Sequence, residues 1–228
     1  MLVEQRIGKD QAMWTWPKLD VRCWKSMMRH WWMPKDVINL IKNNDDTFET
    51  NLVVQAGGNG GVYPWQYAEM FDSVITFEPD HLNFYCMSQN LSNCDNVIKM
   101  QSFLGDKGRR PAGIVNHANT KSTSHTTDHP TGRPTEYNTG AFEIAGHGHT
   151  PVVAIDSLNL QSCDLIHLDI EGSELDALLG AENTIRNFKP ILCIEWFYNT
   201  EKIIELISKW GYKELVNSTI SDKIFKSI

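Results

Sequence analysis

Apolar positions fall into short runs set apart by polar, glycine-rich or proline-marked stretches. Leu52, Val53 and Val54 form one such run, which suits a strand buried on both faces. Gly57, Gly58, Gly60 and Gly61 follow and let the backbone turn sharply, with no Cβ to hold a ligand away. Pro64 stands where a helix can begin, because its missing N–H is not needed in a first turn. Ser73 to Phe77 reads as the next strand, with Glu78 at its end. Leu52 to Asp80 is therefore predicted as strand, glycine turn, helix, strand. In an open parallel sheet ligands bind outside the carboxyl ends of the strands. The glycine turn and Glu78 would both lie there.

The same reading extends along the chain. Met33 to Asn43 is predicted as a helix, with Pro34 in its first turn and Val37, Leu40 and Ile41 on one face. Asp80 is a candidate N-cap for a helix carrying Leu82, Tyr85 and Cys86. Val97 to Met100, Val152 to Ile155, Leu165 to Ile170, Ile191 to Ile194 and Lys223 to Phe225 read as further strands. Ser173 can cap a helix with the stripe Leu175, Leu178 and Leu179. Thr200 to Trp210 is a helix that Gly211 ends. Within Leu165 to Ile170, apolar and polar residues alternate. His167, Asp169 and Glu171 share one face, which is costly to bury without purpose.

A carboxylate at the position of Glu78 can accept both hydroxyls of a ribose, so the geometry suits a nucleotide-like ligand. The dinucleotide fingerprint GxGxxG is not completed from Gly57, which meets Asn59 and then Val62, nor from Gly58, which meets Gly60 and then Tyr63. NAD is weakened by this without being excluded.

QAGGNGGVYPWQYAEMF, followed by ITFEPD, resembles the first two motifs of the FkbM-like methyltransferases, which use S-adenosylmethionine (SAM) and release S-adenosylhomocysteine. DLIHLDIEGSELDALLGAENTI and then KPILCIEW resemble the family's downstream LKxDxEGxE segment and its KPxxxxE strand. Two separated motifs in the right order are more specific than one glycine turn. The likeness runs from Leu52 to Tyr212 and is poor between Arg109 and Thr150. It implies a Rossmann-like, doubly wound α/β fold: a seven-stranded, mostly parallel sheet with helices on both faces and an antiparallel last strand. It implies SAM binding by Gln55, Gly57, Asn59, Gly61, Glu78, Phe103 and Asp169, with adenine near Phe103. Asp169 is the first candidate for a general base, with Glu171 and Glu195 orienting the acceptor.

Two residues depart from the family pattern. His167 replaces the usual lysine, and a neutral imidazole can take a proton at physiological pH where lysine normally cannot. Gln55 replaces an acid near the methionine end of the cofactor. It keeps hydrogen bonding and loses the charge that would favour the ammonium.

The length suits one domain, residues 1–228. Residues 1–33 form a tryptophan-rich extension containing Trp14, Trp16, Trp24, Trp31 and Trp32. It is read as packing over the sheet edge, against a second copy of the chain, or as an aromatic wall of the acceptor pocket. Residues 109–150 form a polar, histidine-rich insertion or lid, with His147 or His149 as a candidate substrate contact. No helical HExxH and no cysteine cluster accompanies these histidines, so no metal is expected.

The net charge of −7 argues against a general binder of nucleic-acid backbone. Five scattered cysteines without a CxxC pair suggest free thiols in a reducing compartment. No signal peptide or membrane-length apolar run is read, so a cytoplasmic protein is expected. The leading expectation is a SAM-dependent O-methyltransferase acting on a sugar or other small hydroxylated acceptor. A nucleic-acid methyltransferase and a non-catalytic SAM-binding or interaction module are the alternatives. The [DN]PP[YF] motif of amino-methylating enzymes is absent.

Overall fold

The computed structural model describes residues 2–116, 142–215 and 222–228. In residues 115–116 and 142–147 only the backbone pairing is described. The arm comprises strands β1 (Val3–Ile7) and β2 (Met13–Pro17) and helix α1 (Arg22–Arg29). Then come α2 (Met33–Asn44), β3 (Leu52–Ala56), α3 (Val62–Ala68), β4 (Ser73–Phe77), α4 (His81–Asn90) and β5 (Val97–Met100). The middle of the chain holds β6 (Phe103–Leu104), β7 (Ala112–Asn116), β8 (Phe142–Thr150) and β9 (Val152–Val153). The last part holds β10 (Leu165–Leu168), α5 (Glu174–Leu179), α6 (Glu182–Phe188), β11 (Ile191–Glu195), α7 (Thr200–Lys209), β12 (Tyr212–Glu214) and β13 (Asp222–Ser227).

Seven strands form the main sheet, in the order β12-β13-β11-β10-β3-β4-β5. β11, β10, β3, β4 and β5 pair in parallel, and β13 runs antiparallel to both β11 and β12. The chain order reverses at β3 and β10, the switch point where open sheets part to admit a ligand.

Alternation along the strands feeds two cores. Val53 faces one with α2, α3, α4 and the arm, whereas Leu52, Val54 and Ala56 face another with α5, α6 and α7. Asp80 caps α4 as the sequence predicts, accepting from the amides of Leu82 at 3.0 Å and Asn83 at 2.9 Å. Gly211, at φ +83°, ends α7.

Three elements differ from expectation. Residues 152–155 do not join the main sheet. Val152 and Val153 pair with Phe103 and Leu104, and Ile155 opens a short 3-10 turn. Two consecutive valines are too short a run to tell a central strand from a bridge. β12 fills the sheet edge instead, although Lys213 and Glu214 are exposed there and gave no apolar signal. Ser173 starts α5 without a side-chain cap. The carboxylate of Glu174 accepts the amides of Ile170 and Gly172 in its place, at 3.1 and 3.2 Å.

The arm is part of the core. Trp14, Trp16 and Trp31 are buried, and Trp14 meets Trp31 and Trp65 edge to face. Asn90 of α4 ties β2 to the glycine turn. Its side chain accepts from the Thr15 amide at 2.7 Å and donates to the carbonyls of Thr15 at 2.9 Å and Gly60 at 2.7 Å. None of the five cysteines is in a disulfide. Among the described residues no helix is long and apolar enough to cross a membrane.

Candidate active site

Four adjacent strands bring the candidate residues into one row. Glu195 ends β11, Asp169 follows β10, Gly57 follows β3 and Glu78 follows β4. Parallel pairing sets the register, with Leu168 beside Ala56 and Ala56 beside Phe77. The amides of Gly57 and Gly58 both donate to the Phe77 carbonyl, at 3.1 and 2.9 Å. Gly57 has φ +88°, and a Cβ there would come within 2.0 Å of the Asp169 carbonyl oxygen. Glycine at residue 57 therefore serves close packing of two loops as well as the turn.

These ends open into a cleft of about 310 Å³, within the usual range for small-molecule sites. Gly57, Gly58, Asn59, Glu78, Phe103, Asp169, Glu171 and Glu195 all line it. Both oxygens of Glu78 already accept backbone amides, Asn59 at 2.7 Å and Asp80 at 2.8 Å. The Asn83 side chain also bonds Glu78, so of about four lone-pair sites on the carboxylate one remains for a hydroxyl donor. Burial pushes Glu78 up to about 8 despite these bonds.

Asp169, Glu171 and Glu195 converge, with one oxygen of each within 4.8 Å of the others. Burial, then the charges of Asp169 and Glu171, drive Glu195 far above the usual carboxylate range. Asp169 is raised less, first by burial and then by Asp222. Asp169 and Glu195 interact through their carboxyl groups, and Glu195 is the one pushed further toward its protonated form.

Other predicted residues lie elsewhere. Gln55 is fully buried and does not line the cleft. Its Oε1 accepts the Thr76 hydroxyl at 2.5 Å, because a residue inside β3 points into the sheet and not past its end. Gly61 is the left-handed N-cap residue of α3, at φ +96°, and is also outside the lining. His167 does not reach the cleft. Its Nδ1 meets the Tyr67 hydroxyl at 2.7 Å and its Nε2 meets Asp222 at 2.9 Å, all within the core. Tyr63 lines the cleft and stacks on His167, with ring centroids 5.9 Å apart. With both nitrogens engaged, His167 is corrected from a candidate base to a buried support. The alternation in Leu165 to Ile170 gave its face correctly but not its depth. The side chain of His147 lies outside the described residues, and His149 is exposed.

The arm supplies what sequence reasoning missed. Arg22, Cys23, Ser26 and Met27 of α1 line the cleft. The aromatic wall weighed from the sequence is thus not aromatic: Trp14, Trp16 and Trp31 pack inward, Trp32 is exposed, and none of the arm's tryptophans lines the cleft. No helix is predicted from the sequence in residues 22–29, and where that helix docks is a tertiary fact.

The model of the methyltransferase FkbM domain matches residues 39–214. The chain belongs to the FkbM methyltransferase domain family. Methyl transfer in this family draws on SAM as cofactor. Among solved structures, an FkbM methyltransferase from Methylobacillus flagellatus KT is similar at 17% identity and TM-score 0.49, over 78% of this chain and 43% of its own. The chain therefore spans less than half the length of that protein. M. jannaschii TYW2, solved with AdoMet, is similar at 9% identity and TM-score 0.45, over 100% of this chain and 88% of its own. A SAM-dependent methyltransferase from Aquifex aeolicus is similar at 10% identity and TM-score 0.43, over 85% of this chain and 88% of its own. A search of curated proteins returned no match. The FkbM segment begins at residue 39, so the whole arm precedes it.

Proposed function

We propose that this protein is a SAM-dependent O-methyltransferase whose acceptor is a sugar or another small hydroxylated molecule. The observation that carries this reading is the convergence of Asp169, Glu171 and Glu195 beside the glycine turn and Glu78, in one cleft. Glu78 offers a lone pair to a ribose hydroxyl, Phe103 offers an apolar surface to the adenine, and the turn at Gly57 to Asn59 gives the cofactor close access to backbone. Bound SAM supplies an electrophilic methyl group. Asp169 accepts the proton that the acceptor hydroxyl gives up, and the protonated Glu195 keeps it ionised and oriented. Glu171 accepts a further acceptor hydroxyl. The carboxylates of Asp169 and Glu171 suit hydroxyl donors and repel phosphate, which favours a neutral acceptor over nucleic acid.

The test has two stages. Calorimetry with SAM and S-adenosylhomocysteine establishes the cofactor. Methyl-labelled SAM is then incubated with a panel of sugars, nucleotides and small alcohols. Label on a sugar or alcohol oxygen is expected. Failure to bind either cofactor form, or label found only on nucleotides, would reject the reading.

A further inference from the structure

The titratable carboxyl groups on the wall of the cleft face a single basic side chain. Among the described lining residues Glu78, Asp169, Glu171 and Glu195 are acids, and Arg22 alone is a cation at every relevant pH. Arg22 belongs to the arm, before the family segment starts. Residues 22, 23, 26 and 27 share one face of α1, and all four line the cleft.

The arm fixes where this face lies. Asp20 accepts the indole N–H of Trp16 at 2.9 Å and the amide of Cys23 at 3.0 Å, locking the start of α1 to β2. Trp16 packs against Gly60, and Asn59 Nδ2 donates to Cys23 Sγ at 3.3 Å. Arg22 is therefore presented on the glycine-turn side of the cleft.

SAM carries an amino-acid end with both an ammonium and a carboxylate. The carboxylates of Asp169 and Glu171 suit the ammonium and repel the carboxylate. Gln55, neutral and buried outside the cleft, contributes charge to neither. A guanidinium matches a carboxylate in shape as well as charge, through two parallel N–H donors. We infer that Arg22 binds the carboxylate of the cofactor's amino-acid end, so that the arm forms one side of the cofactor site. This rests on the SAM reading of the cleft.

The experiment compares two ligands by calorimetry on the full chain. S-adenosylhomocysteine has the amino-acid end, and 5′-methylthioadenosine keeps the adenosine and lacks it. Arg22→Ala should weaken S-adenosylhomocysteine by about 10- to 100-fold, the scale of a lost charged hydrogen bond. Its affinity for methylthioadenosine should stay within about twofold of the parent, and Arg22→Lys should fall between the two for S-adenosylhomocysteine. Arg22 is exposed, so a matching melting curve will confirm that the variants fold. Equal losses for both ligands, or no loss for S-adenosylhomocysteine, would overturn the assignment. A parent protein that binds neither ligand would remove the SAM reading and this inference with it.

Discussion

The indole of Trp16 occupies the space that a side chain at Gly60 would need: a Cβ there would come within 2.1 Å of the ring. Trp16 is fully buried and bonded to Asp20, so it has little room to yield. Gly60→Ala should therefore destabilise the fold by about 1–3 kcal/mol, the usual cost of overpacking. Urea titration measures this. In a Trp16→Ala background the same change should cost much less, because the two residues share one contact. Additive losses would show that they act independently.

Glu78→Ala should weaken SAM binding by about 1–3 kcal/mol, the scale of leaving buried hydrogen-bonding groups without their partner. The Asn59 and Asp80 amides would lose their partner as well, so part of the effect would come through the turn. Calorimetry on a variant with an intact circular dichroism spectrum decides this. Unchanged affinity would take Glu78 out of the cofactor site.

Asp169→Asn should lower turnover by about 10²–10⁴-fold, the scale of general-base assistance, with a much smaller effect on SAM binding. The pH profile gives an independent check. A base acts when ionised, and Asp169 is raised by burial and by Asp222. The acid limb of kcat/KM should therefore lie above the ordinary aspartate range. Glu195→Gln removes an acidic neighbour and should move that limb. A limb at the ordinary position in both proteins would count against Asp169 as the base.

Stability should depend on pH with a definite sign. Burial raises Glu78 to about 8 and lifts Glu195 further. An unfolded glutamate titrates near about 4.3, so above that pH the folded state holds protons that the unfolded state has released. The contribution is fully present below the unfolded value and is lost as pH rises through the folded one. The Tm of the ligand-free protein should fall between about pH 5 and pH 8. Glu78→Gln and Glu195→Gln should each flatten the slope. A Tm that rises across this window would contradict the buried, protonated state of these acids.

Restoring the family's acid with Gln55→Asp should destabilise the protein without tightening SAM binding. The position is fully buried and its oxygen accepts from Thr76. A carboxylate placed there must be desolvated and loses the reach of the longer side chain. Thermal melting and calorimetry on the same sample separate the two effects. Tighter binding would place the side chain in the cleft after all.

The sequence makes legible whatever local periodicity and turn chemistry control. The strands around the glycine turn, the Asp80 cap and the Gly211 stop could be read residue by residue. Glu78, Asp169 and Glu195 could be placed at strand ends because the parallel sheet puts those ends together. Depth was not legible. His167 and Asp169 share a face by alternation, yet two residues of rise decide that one is enclosed by Tyr67 and Asp222 while the other meets the cleft. The destination of α1 was not legible either. Its contacts with Asn59 and the cleft depend on Trp16, Asp20 and Asn90, which are distant from one another or from the turn in sequence.

The clamp that Asn90 forms on Thr15 joins residues 75 positions apart. A chain can close such a contact only after the intervening strands and helices have been laid out, and long-range closures of this kind slow folding. The arm comes early in the chain and is expected to dock late. Until α4 is in place Trp14, Trp16 and Trp31 have no core to enter, and their indoles remain in water. Refolding should therefore show helix and strand signals ahead of the change in tryptophan fluorescence, and the interval between them is when the protein is most exposed to aggregation.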